Sequence, residues 1–284
     1  MMTKTFPARV HVILAKNSPN AVVIRRGPSK QVCTFLWNRE TDEITIGQWL
    51  KGRIYERRCD LSSNGEYFIY FAMNGKWDSE TKGSWTAVSK APFLKALDLH
   101  AKGDCWEGGG LFLDKNTYWL NDTYFNPDNT LMKSLELNHK RQYQPKGKFG
   151  SECTGVYYRR LIRDGWELIE RKNKSKWKDV TTFVKPMVNG WQLTKLAHEE
   201  VDSPEGKGCY WDEHILKNTV TGAEFIKDDW EWAELDLSLG RESVIWASDG
   251  CLYRASLQDN LQLTDVSLVH DFNPYTFENI IADY

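Results

Sequence analysis

A short strand ending recurs along this chain and constrains its fold more than any other feature. It reads Asp60-Leu61-Ser62, and its relatives are Leu14-Ala15-Lys16, Asp98-Leu99-His100, Leu196-Ala197-His198 and Asp236-Leu237-Ser238. Their middle residues are separated by 46, 38, 98 and 40 positions, and the step of 98 is about twice the others. We therefore expect a degenerate copy near Lys146–Gly155 and six units of roughly 46 residues, a period typical of propellers and helical arrays.

The pattern inside each unit favours strands over helices. β-branched or aromatic runs alternate with turn residues, and Asp-Gly, a strong hairpin signal, occurs at residues 164–165 and 249–250. The predicted strands include Gln31–Trp37, Glu43–Trp49, Tyr67–Met73, Ser84–Ser89, Thr154–Ile162, Trp166–Arg171, Glu242–Ala247 and Cys251–Leu257. Ala91–Ala101 also fits a helix, but Pro92 and the likeness of Phe93–His100 to Trp191–His198 favour a strand. The chain is accordingly predicted to be all-β.

Two segments resemble the blade motif of WD40-like and TolB-type β-propellers, in which Ser-Pro-Asp-Gly-Lys precedes an aromatic strand. They are residues 61–71 (LSSNGEYFIYF), where Ser63 replaces Pro and Asn64 replaces Asp, and residues 232–257 (WAELDLSLGRESVIWASDGCLYRASL). The chain also resembles a group of bacterial propeller proteins without an assigned activity, through GQWLKGRIYERRCDLS, CYWDEH, DWEWAELD and HDFN. This resemblance implies a single β-propeller domain over residues 1–284 and no particular reaction.

A physical argument agrees with the propeller. A four-stranded blade cannot bury both of its faces alone, so blades pack face to face around an axis. We expect the recurring ending to close one particular strand in each blade, with its Leu between blades and its Asp or Ser bound to backbone groups of the turn. Two closures of the ring remain open: Val10–Leu14 pairs near Asp265–His270, or each terminus completes its own blade. Six blades are favoured, and five fit if one unit is a long excursion.

Composition and charge exclude several classes of protein. A formal net charge of −2 does not fit a nucleic-acid-binding domain, which carries a strong basic excess. No run approaches the ~18–20 apolar residues of a membrane helix, and the N-terminal segment lacks the pattern of a signal peptide. Six scattered cysteines without a Cys-x-x-Cys pair indicate reduced thiols, so a cytoplasmic protein is expected.

Residues 209–214, CYWDEH, form the densest cluster of reactive side chains. On a strand, Trp211 and Glu213 share one face, while Asp212 and His214 share the other. Asp212 and His214 can form an acid–base pair or, with His198, hold a metal. A half-buried strand with a polar outer face accounts for the same residues, and we predict neither a metal site nor a cofactor.

Residues 228–236 are acidic and aromatic, and they contain Trp230, Glu231 and Trp232. Glycosidases use two carboxylates about 5–10 Å apart across a sugar. The available carboxylates are those of Glu107, Asp212, Glu213 and Glu231, and exposed Trp rings can stack on sugar faces. Inner strands of a propeller also bring carboxylates near the axis without any catalysis.

Three arginines, Arg53, Arg57 and Arg58, lie where the second unit begins, and their guanidinium groups suit carboxylate or phosphate ligands. Ion pairs with acidic neighbours such as Glu231 or Glu234 are the favoured explanation, and Lys95 and Lys195 can extend the positive ring.

A glycine run, residues 108–110, follows Trp106 and Glu107. Because no helix follows, a tight bulge is favoured over a phosphate loop.

The sequence favours a non-enzymatic binding module with an unknown protein partner. It gives no indication of nucleic-acid or membrane binding, and no catalytic residue is assigned. The alternative is a carbohydrate-binding or glycoside-hydrolysing propeller, which predicts exposed Trp rings in one pocket beside paired carboxylates, whereas a protein-binding module predicts a broad apolar patch. The predicted ligand-binding residues are Arg53, Arg57, Arg58, Trp106, Glu107, Trp211, Asp212, Glu213, His214, Trp230, Glu231 and Trp232.

Overall fold

The computed structural model describes residues 6–27, 30–237, 243–257 and 263–284, and about half of them lie in strands, which pair antiparallel except for β11 and β13. The chain divides into two compact units. Unit 1 comprises Met1–Arg160 with Asn273–Tyr284, and unit 2 comprises Leu161–Phe272. The strong β content follows from the many β-branched and aromatic runs between turn residues. Among the described residues, no helix is both long and apolar enough to cross a bilayer.

Unit 1 contains three sheets. Sheet A has the order β1-β2-β3-β4, and its strands are β1 (Arg9–Leu14), β2 (Asn20–Arg26), β3 (Gln31–Asn38) and β4 (Glu43–Lys51). Sheet B has the order β12-β9-β8-β7-β5, with β6 also paired to β7. Its strands are β5 (Arg53–Ile54), β6 (Asp60–Leu61), β7 (Tyr67–Met73), β8 (Ser84–Lys90), β9 (Ala96–Ala101) and β12 (Thr130–Met132). Sheet C has the order β10-β11-β13, with strands β10 (Gly110–Phe112), β11 (Thr117–Leu120) and β13 (Asn138–His139).

Strand β7 is buried on both faces, and this determines how the sheets of unit 1 pack. Phe68, Tyr70 and Ala72 point into a core shared with sheet A residues such as Val22 and Ile24. Tyr67 and Ile69 point into a second core with Phe112, Tyr118 and Leu120 of sheet C. Since side chains alternate along a strand, one aromatic strand supplies the apolar face for both neighbours.

One edge strand of each of the three sheets lies next to that of another, with β1 against β6 and β6 against β10. The Asp60 carboxylate of β6 accepts a hydrogen bond from the Phe112 backbone N–H of β10 at 2.7 Å. The Ser62 hydroxyl accepts from the backbone N–H groups of Glu66 and Tyr67 in the following turn. The predicted role of Ser is therefore confirmed for the copy at residues 60–62, whereas Asp60 binds the backbone of a neighbouring strand and not of the turn.

The predicted strand Thr154–Ile162 is wrong, because these residues form the helix α1 (Cys153–Arg163). Their buried side chains recur at helical spacing, at Cys153, Val156, Tyr157, Arg160 and Leu161. Asp164-Gly165 therefore follows a helix and does not turn a hairpin. The short 3-10 turns among the described residues are Glu56–Arg58, Pro127–Asn129 and Val188–Gly190.

Unit 2 contains two sheets. Sheet D has the order β14-β15-β16-β17-β18, with strands β14 (Glu167–Ser175), β15 (Lys178–Pro186), β16 (Trp191–Glu200), β17 (Tyr210–Asn218) and β18 (Glu224–Ile226). Sheet E has the order β19-β20-β21-β22, with strands β19 (Trp232–Asp236), β20 (Ser243–Ser248), β21 (Cys251–Leu257) and β22 (Leu263–Asp271). Trp230 stacks on Trp246 with ring centroids 4.8 Å apart, so large flat rings fill this core.

The recurring ending does not mark the same strand in every sheet. The copies at 14–16, 60–62 and 236–238 follow the first strand of a sheet, and Ser238 of the last copy lies outside the described residues, as does Glu242 of a predicted strand. The copies at 98–100 and 196–198 lie within the inner strands β9 and β16. Sheet B therefore contains two copies, and the spacing of 38 residues does not separate two sheets.

The predicted pairing of Val10–Leu14 with the strand near Asp265–His270 is wrong. Strand β1 pairs with β2 over its whole length, and β22 pairs with β21. Strand β1 belongs to sheet A and β22 belongs to sheet E. This agrees with the second closure considered above, in which each terminus completes its own blade. The prediction of one domain over residues 1–284 stays a prediction.

All six cysteines are free thiols, and their exposure predicts a simple reactivity pattern. Cys105 and Cys209 are exposed, whereas Cys33, Cys59 and Cys153 are buried. Burial raises the pKa of the Cys33 thiol to about 12 and raises those of Cys59 and Cys153 as well. We expect two thiols to react rapidly with a disulfide reagent in the native protein and the rest only in urea. Cys105→Ser should remove one rapid equivalent; more than three rapid equivalents in the native protein would contradict this fold.

The pair His100–Tyr118 at the interface of sheets B and C predicts acid sensitivity. Burial lowers the pKa of His100 to about 4, against an ordinary value of 6.5. The unfolded chain therefore binds a proton that the folded chain does not, and stability falls as the pH drops from 6.5 to about 4. This group contributes on the order of 3 kcal/mol at most. We expect His100→Asn to flatten the dependence of the urea midpoint on pH over this window.

Phe125→Leu provides the matched control for that measurement. Phe125 contacts the His100 ring at 5.7 Å, so the substitution loosens the same packing and keeps the titrating group. It should lower stability at every pH and keep the slope of the wild-type protein. Equal slopes for wild type and His100→Asn would contradict the assignment.

Candidate functional site

The loop at residues 102–109, between β9 and β10, is held by the buried guanidinium of Arg58. Arg58 Nη1 donates to the carbonyl oxygens of Cys105 and Glu107, at 2.7 Å each. Its other nitrogens contact Cys153 Sγ at 3.4 Å and the Glu152 carboxylate at 3.5 Å. Because the carbonyls on both sides of Trp106 are fixed, the Trp106 side chain projects outward and is 66% exposed.

Gly109 allows the loop to approach Arg58 closely. A Cβ at this position would lie 1.9 Å from the Arg58 carbonyl oxygen, and the backbone φ is +77°. Gly108 packs against the Phe71 ring in the same way. The predicted tight bulge at the glycine run therefore has a physical cause: the backbone must pass within contact distance of β7 and of Arg58.

A single ammonium group organises the carboxylates of this loop. Lys102 Nζ lies 2.9 Å from Asp122 Oδ1, 3.4 Å from Glu107 Oε2 and 3.7 Å from Asp104 Oδ2. Glu107 Oε2 also accepts a hydrogen bond from the Thr123 backbone N–H at 3.0 Å. We call Lys102, Asp104, Trp106, Glu107 and Asp122 the lysine–carboxylate site.

The two inner carboxyl groups of this site are shifted in opposite directions. Burial raises the pKa of Asp122, and the neighbouring Glu107 raises it further against the effect of Lys102. Burial also acts to raise the pKa of Glu107, but hydrogen bonds from Thr123 and the charge of Lys102 outweigh it and lower that pKa. The ammonium of Lys102 thus favours the charged form of both carboxyl groups, while burial opposes it.

The loops next to the lysine–carboxylate site carry exposed apolar side chains. The Trp77 ring covers Gly83, the Ser84 hydroxyl donates to the Asp104 carbonyl at 2.7 Å, and Lys82 donates to Asn129 at 3.1 Å. Loops 74–83, 102–109 and 121–135 therefore adjoin, and we call their surface the loop face of unit 1. Its exposed large apolar side chains are Trp77, Trp106, Tyr124, Leu131, Met132 and Leu135.

In unit 2 the predicted residues Asp212 and His214 meet a buried lysine. Lys195 Nζ lies 3.0 Å from His214 Nε2 and 3.7 Å from Asp212 Oδ2. His214 Nδ1 lies 3.1 Å from the Trp230 carbonyl oxygen, so Nδ1 carries the proton and Nε2 accepts from the ammonium. All three side chains are buried, and their arrangement is typical of a satisfied interior ion pair.

The predicted alternation along residues 209–214 is confirmed, and it separates the proposed metal ligands. His198 stacks on Trp211 at 3.8 Å and contacts the Glu213 carboxylate at 3.6 Å, on the face opposite Asp212 and His214. The grouping of His198 with those two side chains is therefore wrong. Among the described residues, no group of three or more His, Cys, Asp or Glu side chains is arranged to hold a metal ion.

The aromatic residues at 230–232 are largely interior. Trp230 and Trp232 are buried, and Glu231 is half-buried with its backbone N–H bonded to the Ala247 carbonyl. Neither Trp ring is exposed for stacking on a sugar. The Lys227 ammonium instead lies over the Trp230 ring, with Nζ 5.4 Å from the ring centroid.

The arginine cluster is internal, and its partners differ from those expected. Arg57 is buried over the Tyr157 ring at 4.5 Å, and Arg53 is exposed beside Tyr55. Arg58 pairs with Glu152. Glu234, an expected acidic partner, is bound by Lys185 at 2.8 Å and by the Trp166 indole N–H at 2.9 Å, and these groups lower its pKa although burial opposes them.

Sequence reasoning missed Lys102 and Asp122 as partners of Glu107, and it placed Lys195 with the arginines. Asp122 follows the end of β11, 15 positions after Glu107, and no short motif links the two. Lys195 on β16 lies directly opposite His214 on β17. A lysine that faces a histidine or an aspartate on the neighbouring strand was the sequence signal that could have revealed these partners of Lys195.

No family model matches the chain. The long form salivary protein D7L1 of Anopheles atroparvus is 26% identical over 116 residues, which are 39% of this chain and 34% of that protein. The chain thus spans about a third of the length of the curated relative that it matches. Two solved structures align with 98% of this chain and 65% of their own at 7% identity: a cobalt-substituted Synechocystis ACO, with a TM-score of 0.20, and an ACO/RPE65 chimera in a trigonal crystal form, with a TM-score of 0.19. No fold assignment follows from such TM-scores.

The close approach at Gly109 predicts that Gly109→Ala disrupts this loop. The variant must move either the loop or the Arg58 carbonyl, so it should lose about 1–3 kcal/mol of unfolding free energy beyond the cost of positive φ alone. Gly75→Ala is the matched control, because Gly75 has φ +72° with nothing within 4 Å of the added Cβ. That control should cost only about 1–2 kcal/mol. Equal urea midpoints for the two variants would contradict the contact.

Proposed function

We propose that the protein is a non-enzymatic binding module of β-propeller architecture whose protein partner docks on the loop face of unit 1. The observation that carries the proposal is the group of exposed apolar side chains there, which adjoin a charged site. Isolated exposed apolar residues are ordinary on a protein surface, but a contiguous group rimmed by polar residues is typical of an interaction site. Aromatic residues and Met are also enriched at protein–protein interfaces.

The propeller part of the proposal rests on the packing inside unit 1. Strand β7 is buried by sheet A on one face and by sheet C on the other, as expected of a blade between two blades. The adjacency of β1, β6 and β10 agrees with inner strands that follow one another around an axis. The described residues form five sheets, so we propose five blades.

A cytoplasmic location accompanies this proposal. All six cysteines are free, and three of them are buried where their raised pKa values keep them protonated. Unpaired thiols on both the surface and the interior fit a reducing compartment.

A carbohydrate ligand is the second candidate, favoured by the lysine–carboxylate site. Trp106 offers an exposed ring in the loop that also carries Glu107, whose carboxylate shares the Lys102 ammonium with Asp122. A sugar stacked on that ring would find donors and acceptors in Lys102, Glu107 and Asp122. The buried state of Trp230 and Trp232 removes those two rings from this candidate.

Substitution of Trp106 tests the proposed surface. We expect Trp106→Ala to lower capture of the cognate protein from source-cell extract by at least about tenfold, because large aromatic anchors dominate interface energies. Trp177→Ala is the matched control, since Trp177 is 67% exposed in unit 2. It should retain wild-type capture. A partner captured equally by all three proteins would contradict docking on the loop face.

A glycan array run with the same proteins distinguishes the two candidates. Binding of one glycan class by wild type and Trp177→Ala, together with its loss in Trp106→Ala and Asp122→Asn, would replace the protein partner with a sugar. Silence of the array, combined with Trp106-dependent capture of one protein, would support the protein-binding module.

A further inference from the structure

We propose that a second surface of unit 1 is a groove for an extended, acidic, aromatic peptide of a partner protein, and that residues 273–284 of this chain occupy it in cis. We call residues 273–284 the C-terminal segment. It reads NPYTFENIIADY, and it lies along sheet A and the turn at Lys90–Lys95 of sheet B without joining either sheet as a strand. The proposal rests on contacts of residues 273–284 with sheet A and with residues 90–95, and none of the exposed apolar side chains of the loop face takes part in them.

The groove binds the backbone of the segment through side-chain donors. Arg25 Nη2 donates to the Tyr275 carbonyl oxygen at 3.0 Å, and Gln48 Nε2 donates to the Ile280 carbonyl oxygen at 2.9 Å. Gln48 is itself fixed, because its Oε1 accepts from the backbone N–H groups of Leu94 and Lys95. Donors aimed at backbone carbonyls recognise an extended chain whatever its side chains are, as in other peptide grooves.

Three aromatic side chains of the segment supply the sequence preference. The Tyr275 ring meets Phe35 edge-on at 4.7 Å, and the Phe277 ring lies 5.9 Å from Trp49. The Tyr284 hydroxyl donates to the Lys95 carbonyl oxygen at 2.5 Å and accepts from the Lys90 backbone N–H at 3.1 Å. The preferred ligand therefore has aromatic residues at its third, fifth and twelfth positions, counted as in the segment.

Charge complementarity defines the remaining chemistry of the ligand. Lys51 lies over the Phe277 ring at 4.4 Å, and Lys90 and Lys95 lie over the Tyr284 ring at 5.5 and 5.0 Å. The segment itself contains two carboxylates, Glu278 and Asp283, and no basic residue. A basic groove attracts an acidic aromatic occupant through its opposite charge and through cation–π contacts.

Release of the segment would break no hydrogen bonds of a described sheet. Most of its residues are exposed, including Phe277 and Ile281, and its backbone makes no strand pairing among the described residues. The Trp49 indole Nε1 is shielded from solvent and has no acceptor among the described residues. A partner peptide that places a carbonyl or carboxylate there gains a hydrogen bond that the cis segment lacks.

A partner peptide must compete with the C-terminal segment of the same chain for the groove. A tethered segment acts at an effective concentration on the order of mM. A loosened segment should therefore expose the groove to added peptide. The affinity for added peptide should therefore differ between the wild-type chain and a full-length variant with weaker anchors.

The test measures binding of a fluorescein-labelled, C-terminally amidated peptide of residues 273–284 by anisotropy. We expect the full-length double variant Tyr275→Ala/Tyr284→Ala to bind this peptide at least about tenfold more tightly than wild type. The peptide with both tyrosines replaced by alanine should not bind, and Gln48→Ala in the loosened background should weaken binding. The native thiol pattern reports that each variant is folded.

Three outcomes would overturn the proposal. One is no saturable binding to a loosened variant that keeps the native thiol pattern. Another is equal binding of the intact and the alanine-substituted peptides. The third is that the wild-type chain forms a dimer and that added peptide dissociates it. The groove would then be occupied by a second copy of this chain and not by a different partner. If the double variant does not fold, wild type is photocrosslinked with a peptide that carries a photoreactive analogue at the Phe277 position. The proposal then requires that residues beside Trp49 are labelled.

Discussion

Burial of strand β7 on both faces is the constraint on which the rest of unit 1 depends. Its alternate side chains enter two separate cores, so sheet B cannot form its native packing without sheets A and C. The same strand supports the loop at residues 102–109, since Phe71 contacts Gly108. A surface loop is thus held against a strand that is buried on both faces, and this is how the interior of the protein determines the geometry of the lysine–carboxylate site.

Buried cations fix the positions of loops and strands in both units. Arg58 binds two carbonyl groups of the loop that presents Trp106, and Lys195 binds His214, Asp212 and the Ala233 carbonyl. A buried cation without partners is costly, so each of these side chains specifies one arrangement of its neighbours. Arg25 and Gln48 act similarly toward residues 273–284 from the surface of sheet A. In each case one long polar side chain joins segments that are distant in sequence.

Much of the strand content could be predicted, because alternation of side chains along a strand is a local property. The faces assigned to Trp211, Asp212, Glu213 and His214 are those observed. The helix at Cys153–Arg163 was missed because Tyr157 and Tyr158 read as strand residues and Asp164-Gly165 reads as a hairpin turn. Helical spacing of its buried residues was present, but burial becomes known only after the neighbouring elements are placed.

The sequence alone determined that this chain is rich in strands, that Ser62 accepts from the backbone of the turn after β6, and that Trp106 and Glu107 precede a tight glycine bulge. These features depend on dihedral preferences and side-chain alternation within a few residues. Only the tertiary structure decided that Arg58 supports that bulge, that Lys102 joins Glu107 to Asp122, and that residues 273–284 return to sheet A. Such contacts join positions far apart in the chain, and their free energy depends on burial and distance, which no local pattern encodes.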